Sequence, residues 1–254
     1  MKLKKTLTIL IAVLFFLVIM FSFAGIFSVK KVNATYAVSD DANVSGLQEK
    51  FDKFLNKNIL FLNVEEICKA LDDFHYMEIV SVKKEFPNVI EVEVVERREV
   101  YYLDYGTNYL VTTADGFILR SISKSGVIEN NRDKIVLTLD GVSILDATIG
   151  KVLRTDDDRL LSTVFEMAKS VNLTDCIKNI KVFSPGTEMS DVIFGTYTGV
   201  DIVVEKAEIS GVDKVIEGFK AYDEEASDYE KMFKTIIVFR DNQGAIQVDW
   251  TDKK

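Results

Sequence analysis

Histidine, proline, cysteine and tryptophan are nearly missing from this chain, and each shortage closes off a class of protein. The 254 residues hold one histidine, His75, and two cysteines, Cys68 and Cys176. Zinc centres draw their ligands from clustered Cys and His at short spacings, so no metal site is legible and none is expected. Two cysteines so far apart make no disulfide framework. Cys68 stands beside Ile67 and Leu71 on an apolar helix stripe, so both thiols read as buried and free. With two prolines and no low-complexity stretch or internal repeat, long linkers are not expected. The net charge is −9, and since the three N-terminal lysines contribute +3 the rest of the chain carries about −12. An acidic chain with no basic stripe does not suit nucleic acid, whose phosphates need clustered Lys and Arg. It also lacks the polybasic run of a peripheral membrane protein. No P-loop and no G-x-S-x-G elbow occurs.

One long apolar run is present, once, at the N-terminus. Lys2, Lys4 and Lys5 precede a stretch from Leu7 to Phe27 that carries no charge. About 20 apolar residues cross a bilayer core. Residues 7–27 therefore read as a transmembrane helix behind a short cytoplasmic tail, 1–6. Ser22-Phe23-Ala24 also has the form of a signal-peptidase site, which leaves cleavage as the alternative. The short lysine-bearing tail is easier to retain inside than the bulk behind Lys30 and Lys31, so the remainder is expected outside the cytoplasm.

The next 70 or so residues alternate in a readable order. Ser28 to Val38 reads as a strand. Ser45 can open a helix with Leu47, Phe51, Phe54 and Leu55 on one face. Asn63 with Glu66 reads as the cap of a second, bearing Val64, Ile67, Ala70, Leu71 and Phe74. Met77, Ile79, Val82 and Phe86, then Pro87-Asn88, then Ile90, Val92 and Val94 make a hairpin. The order β-α-α-β-β describes a compact α+β unit over 28–97.

From 98 to 254 the pattern is β-rich α+β. Strands are expected at Val100–Leu103, Tyr109–Thr113, Phe117–Leu119, Ile135–Leu139, Ile177–Phe183, Val192–Gly195 and Val200–Val204. A closing hairpin, Ile236–Phe239 and Ile246–Trp250, turns across Asn242-Gln243-Gly244. Thr155 with Asp158 reads as the start of a helix burying Leu160, Leu161, Val164, Phe165, Ala168 and Val171. Another is expected near Ser210, with Val212, Val215, Ile216 and Phe219 inward.

Catalytic patterns are thin. Ser121-Ile122-Ser123-Lys124 matches S-x-x-K, but the S-D-N and K-T-G companions are missing. Asp156-Asp157-Asp158 suits the positive end of a helix, and Glu91, Glu93 and Glu96 read as the solvated side of a strand. Asn33-Ala34-Thr35, Asn43-Val44-Ser45 and Asn172-Leu173-Thr174 have sequon form.

The segments Asn58-Ile59-Leu60-Phe61-Leu62-Asn63 and Ile79 through Pro87-Asn88 to Glu96-Arg97 resemble the POTRA domain of the FtsQ/DivIB family of bacterial cell-division proteins. Asp115-Gly116, Thr138-Leu139-Asp140-Gly141 and Gly244-Ala245-Ile246-Gln247-Val248-Asp249 resemble points along that family's β domain. Where the family usually has a Val-x-Gly-Asn step, this chain has Val32-Asn33-Ala34-Thr35-Tyr36.

The resemblance implies a single-span anchor, a POTRA domain over 28–97 and a β domain over 98–254. It implies a non-catalytic scaffold of the division machinery at the septum, without cofactor or small-molecule substrate. Its partners would be membrane proteins of the FtsB/DivIC and FtsL kind. The expected contact is strand addition at Ala245, Ile246, Gln247, Val248, Asp249 and Trp250, with Lys83, Lys84 and Arg97 as further contacts on the POTRA unit. The alternative is an anchored extracytoplasmic enzyme or binding ectodomain acting on cell-wall material, with Ser121 and Lys124 its only foothold.

Overall fold

The computed structural model describes residues 11, 13–15, 25–39, 46–126, 134–171, 176–186, 188–227 and 229–253. The chain divides into two units, Met1–Arg97 and Arg98–Lys254. Most of the apolar run at 7–27 lies outside the described residues, as do Ser45 and the sequon asparagines Asn43 and Asn172. Ile11, Val13, Leu14, Phe15, Gly25 and Ile26 are helical. Among the described residues no helix is long and apolar enough to cross a membrane.

The first unit is a three-stranded sheet with two short helices. Strand β1 (Lys31–Ala37) runs parallel to β3 (Val89–Glu96), and β3 is antiparallel to β2 (Met77–Glu85), giving the order β1-β3-β2. Helices α1 (Leu47–Asp52) and α2 (Val64–Cys68) cover the face formed by Ile90, Val92 and Val94. The alternation in β3 sets this: its even-numbered valines and isoleucine go inward, while Glu91 and Glu93 stay outside. Phe51, Phe54, Ile59 and Ile67 are fully buried beneath, each contributing about 1.5–3 kcal/mol of transfer free energy.

Helix starts depart from the sequence reading in detail. Gly46, at φ 82°, makes the entry to α1 with no side-chain cap. Asn63 does cap α2, accepting from the Glu65 amide at 3.0 Å. Glu66 instead pairs with Lys57. Because α2 passes directly into a 3-10 turn at Lys69–Leu71, the inward stripe is Ile67, Ala70 and Leu71. Cys68 therefore points out, and Cys176 is half-buried. The expectation that both thiols are buried does not hold.

The second unit is built on one nine-stranded mixed sheet. Its strands are β4 (Tyr101–Tyr105), β5 (Asn108–Thr112), β6 (Ile118–Ser123), β7 (Ile135–Asp140), β10 (Ile177–Phe183), β11 (Asp191–Thr196), β12 (Asp201–Val204), β13 (Lys234–Arg240) and β14 (Ile246–Asp252). The spatial order is β14-β13-β12-β11-β10-β7-β4-β5-β6. A small ribbon of β8 (Ile144–Asp146) and β9 (Arg154–Thr155) lies apart from it. Helices α3 (Asp158–Ser170) and α4 (Gly211–Lys220) share a core with the sheet through Leu160, Val164, Met167, Val215 and Phe219. A last short helix, α5 (Glu230–Phe233), leads into β13.

Asp157, not Thr155, caps α3, accepting from the Leu160 amide at 2.9 Å. Thr155 lies in β9, and its amide donates to Asp158 at 2.7 Å. In α4 the expected inward face is shifted: Ile216 is exposed, while Lys214 is 1% exposed and donates to the carbonyls of Glu205 and Lys206.

Candidate partner-binding site

The β13–β14 hairpin is fixed by its turn. Gly244 takes φ 84°, a conformation that suits glycine. The Asp241 carboxylate accepts from the Gln243 and Ala245 amides, both at 2.9 Å, and from the Gln247 side chain at 3.0 Å. Those bonds, led by the one from Ala245, hold its carboxyl below the usual aspartate range. Arg240 reaches the Gly244 carbonyl and the Ser210 hydroxyl. Register then runs without a break from Arg240↔Ile246 to Lys234↔Asp252, with an ion pair of 2.7 Å joining Lys234 and Asp252.

β14 ends the sheet, and its backbone groups alternate between the two sides. The Ala245 and Lys253 amides point back toward the hairpin, to Asp241 and Phe233. By the period of an antiparallel strand, Gln247, Asp249 and Thr251 face β13 as well. Ile246, Val248, Trp250 and Asp252 then turn their N–H and C=O groups to the outer edge, where no further strand pairs among the described residues. The Trp250 amide makes no ladder bond and donates to the Asp249 carboxylate at 2.8 Å, as this assignment requires. The opposite edge differs. At β6 the Ile118 amide donates to Lys151 and its carbonyl accepts from Gly150, so the 150–153 segment covers the strand start.

The six expected residues do not act alike. Ala245 lies before the strand and closes the turn through Asp241. Ile246, Val248 and Trp250 pack their side chains on the unit's own core. Trp250 is thus not an exposed anchor, because the alternation that aims its amide outward turns its ring onto the sheet's covered face. Gln247 and Asp249 are exposed on the other face.

The expected contacts on the first unit also separate. Lys83 is exposed on the open sheet face, where a hollow of about 190 Å³ is lined by Asn33, Thr35, Ser81, Glu91 and Glu93 beside it. Lys84 is held by the Leu62 carbonyl. Arg97 lies at the far end of β3 from the Pro87-Asn88 turn. It donates to the carbonyls of His75 at 3.2 Å and Met77 at 2.9 Å, and its Nε is 3.4 Å from Glu78. These bonds make Arg97 a clamp inside the unit.

Ser121 and Lys124 are not brought together as a nucleophile and base. Ser121 is in β6, paired with Leu110, and the Lys124 ammonium is bound by Asp104 over the Tyr109 ring. A cavity of about 490 Å³ beside α3, lined by Leu153, Leu161 and Phe165 with Arg154 and Asp158 at its rim, holds no histidine or cysteine. Among the described residues no three His, Cys, Asp or Glu side chains converge as metal ligands.

Comparison with known proteins bears on this arrangement. Residues 44–97 match the family model of the FtsQ-type POTRA domain. The chain is 28% identical over 125 residues to cell division protein DivIB of Clostridium acetobutylicum, covering 49% of this chain and 46% of that one. It is 24% identical over 122 residues to DivIB of Clostridium botulinum strain Hall, covering 47% and 45%. The matched stretch thus spans about half the length of these curated relatives. The extracytoplasmic domain of DivIB from Geobacillus stearothermophilus overlays at a TM-score of 0.28 and 12% identity, over 52% of this chain and 98% of that one, too loosely to carry an argument. The fold and the matched segment define a protein with an FtsQ-type POTRA domain followed by a β-rich α+β unit. The chain is similar to the FtsQ/DivIB family of cell-division proteins, with residues 44–97 matching that family's POTRA domain.

Proposed function

We propose that this chain is a non-catalytic scaffold of the bacterial division machinery. Residues 7–27 anchor it in the cell membrane, with 1–6 in the cytoplasm and both units outside, at the septum. It links division proteins by accepting a strand on β14, and its partners are single-span membrane proteins of the FtsB/DivIC and FtsL kind. The observation that carries this reading is the open edge of β14 at the end of a nine-stranded sheet, since unpaired edge groups are a template for an incoming strand. The relatives' role in cell division supports the setting.

The test uses Val248→Pro in the full chain. Proline removes one outward amide and tolerates an edge position, so the β13 pairing survives. Co-purification from bacterial membranes should recover a coiled-coil partner with the native chain, and affinity should fall about tenfold or more in the variant, the loss of roughly 1.4 kcal/mol. Unchanged affinity in a folded variant would overturn the edge-strand reading. Deletion of 245–254 provides the second arm, because a partner retained without the last strand must dock elsewhere.

A further inference from the structure

The first unit holds an apolar patch outward by a tight turn. Asn58 accepts from the Leu60 amide through its side chain at 3.0 Å, while its carbonyl accepts from Phe61 and Leu62. This turn sends Ile59 and Leu62 into the core and leaves Leu60 and Phe61 outside. Phe61 is 85% exposed, more than any other large apolar side chain among the described residues. Leu60 and Phe86 are 49% and 59% exposed.

The patch is continuous with the end of the N-terminal apolar run. Ser28 bridges Asn58, and the Phe27 carbonyl accepts from the Ile59 amide at 2.8 Å. The Phe27 ring meets Phe86 edge-on at 6.4 Å. Phe27 thus joins the 58–62 turn on one side to the β2–β3 turn on the other. Lys30 and Lys31, three and four residues beyond Phe27, are exposed, whereas Lys57 is tied to Val29 through its carbonyl and to Glu66 through its ammonium.

We propose that Leu60, Phe61 and Phe86 seat the POTRA unit on the outer surface of the same bilayer that the N-terminal segment crosses. The inference rests on the anchor reading above. Apolar and aromatic side chains beside a span settle at the headgroup boundary, and flanking lysines extend to the phosphates. The Phe27 junction leaves this turn no distance from the span's outer end, so the occupant is lipid. Seating would fix the orientation of the POTRA unit relative to the membrane rather than leaving it on a free tether.

The experiment reconstitutes the full chain carrying Phe61→Trp and Trp250→Phe in phosphatidylethanolamine–phosphatidylglycerol vesicles doped with acyl-brominated lipid. The double substitution leaves a single indole, on the 58–62 turn. Phe61 is exposed, so its replacement disturbs no core. The indole emission should shift to the blue and lose most of its intensity to the bromines. An alkaline carbonate wash of the same vesicles reports the anchor separately. A chain that resists the wash, with unquenched, solvent-like indole emission, overturns the seating while the anchor stands. A chain released by the wash overturns both.

Discussion

The carbonyl oxygen of Ser184 stands 1.8 Å from the place a β-carbon on Gly141 would occupy. Gly141 follows β7 at φ 80°, and Ser184 follows β10, whose amide at Ser184 donates to the Asp140 carbonyl at 2.8 Å. The two central parallel strands therefore end in a contact that only a residue without a side chain permits. Gly141→Ala combines a left-handed φ with a backbone collision. It should destabilise the second unit by about 3 kcal/mol, read as a lowered denaturation midpoint. A loss under about 1 kcal/mol would mean that the strand ends separate easily.

Asp249 caps the Trp250 amide at the open edge. That single bond occupies one of the groups an incoming strand would use. Asp249→Ala should leave stability within about 0.5 kcal/mol, as for most surface changes. It should raise concentration-dependent self-association or partner affinity, because an uncovered edge donor seeks a new acceptor. Sedimentation velocity with and without partner checks this, and an unchanged profile in both would show that the cap does not guard the edge.

Arg97 separates structural from binding roles in the POTRA unit. Arg97→Ala removes its bonds to the His75 and Met77 carbonyls and should cost about 1–3 kcal/mol, because the carbonyls lose their donor. Partner affinity measured where the variant is still folded should stay unchanged. Lys83→Ala, on the open face, should do the reverse if that face binds, leaving the melting temperature in place.

Much of this architecture was legible because its signals are local. Ile90, Val92 and Val94 alternate cleanly, and Asn242-Gln243-Gly244 marks a turn, so both hairpins could be read from the residues alone. Lys214 could not. A lysine on an apolar helix face is buried only because the Glu205 and Lys206 carbonyls come back to meet it, and nothing in the helix announces that return. The β8–β9 ribbon was illegible for a similar reason, since Arg154–Thr155 is too short to carry a period. At the candidate site the strand was readable but the roles within it were not. Whether Trp250 faced a partner or its own core depended on which side of the sheet α3 and α4 cover. The patch at Leu60, Phe61 and Phe86 was hidden altogether, because Phe27 joins two turns that are distant in sequence.

The edge hairpin should weaken in acid through Asp241. Its carboxyl is held below the ordinary aspartate value by the Ala245 amide first, and by the Gln247 side chain and the Gln243 and Gly244 amides. The unfolded chain therefore takes up this proton more readily than the folded one. The stabilisation is complete above the unfolded pKa of about 4 and disappears as pH falls through the lower folded value. Asp241→Asn keeps an acceptor in the turn but carries no charge, so its contribution should not vary over the same range. Native chain and variant should thus differ most in denaturation midpoint near neutral pH, and the gap should close as the pH falls below about 4. Gly244 and Ala245 amide shifts should move over that interval in the native chain alone. A constant gap would place the acid sensitivity of the sheet elsewhere and leave the turn held by Gly244 and Arg240.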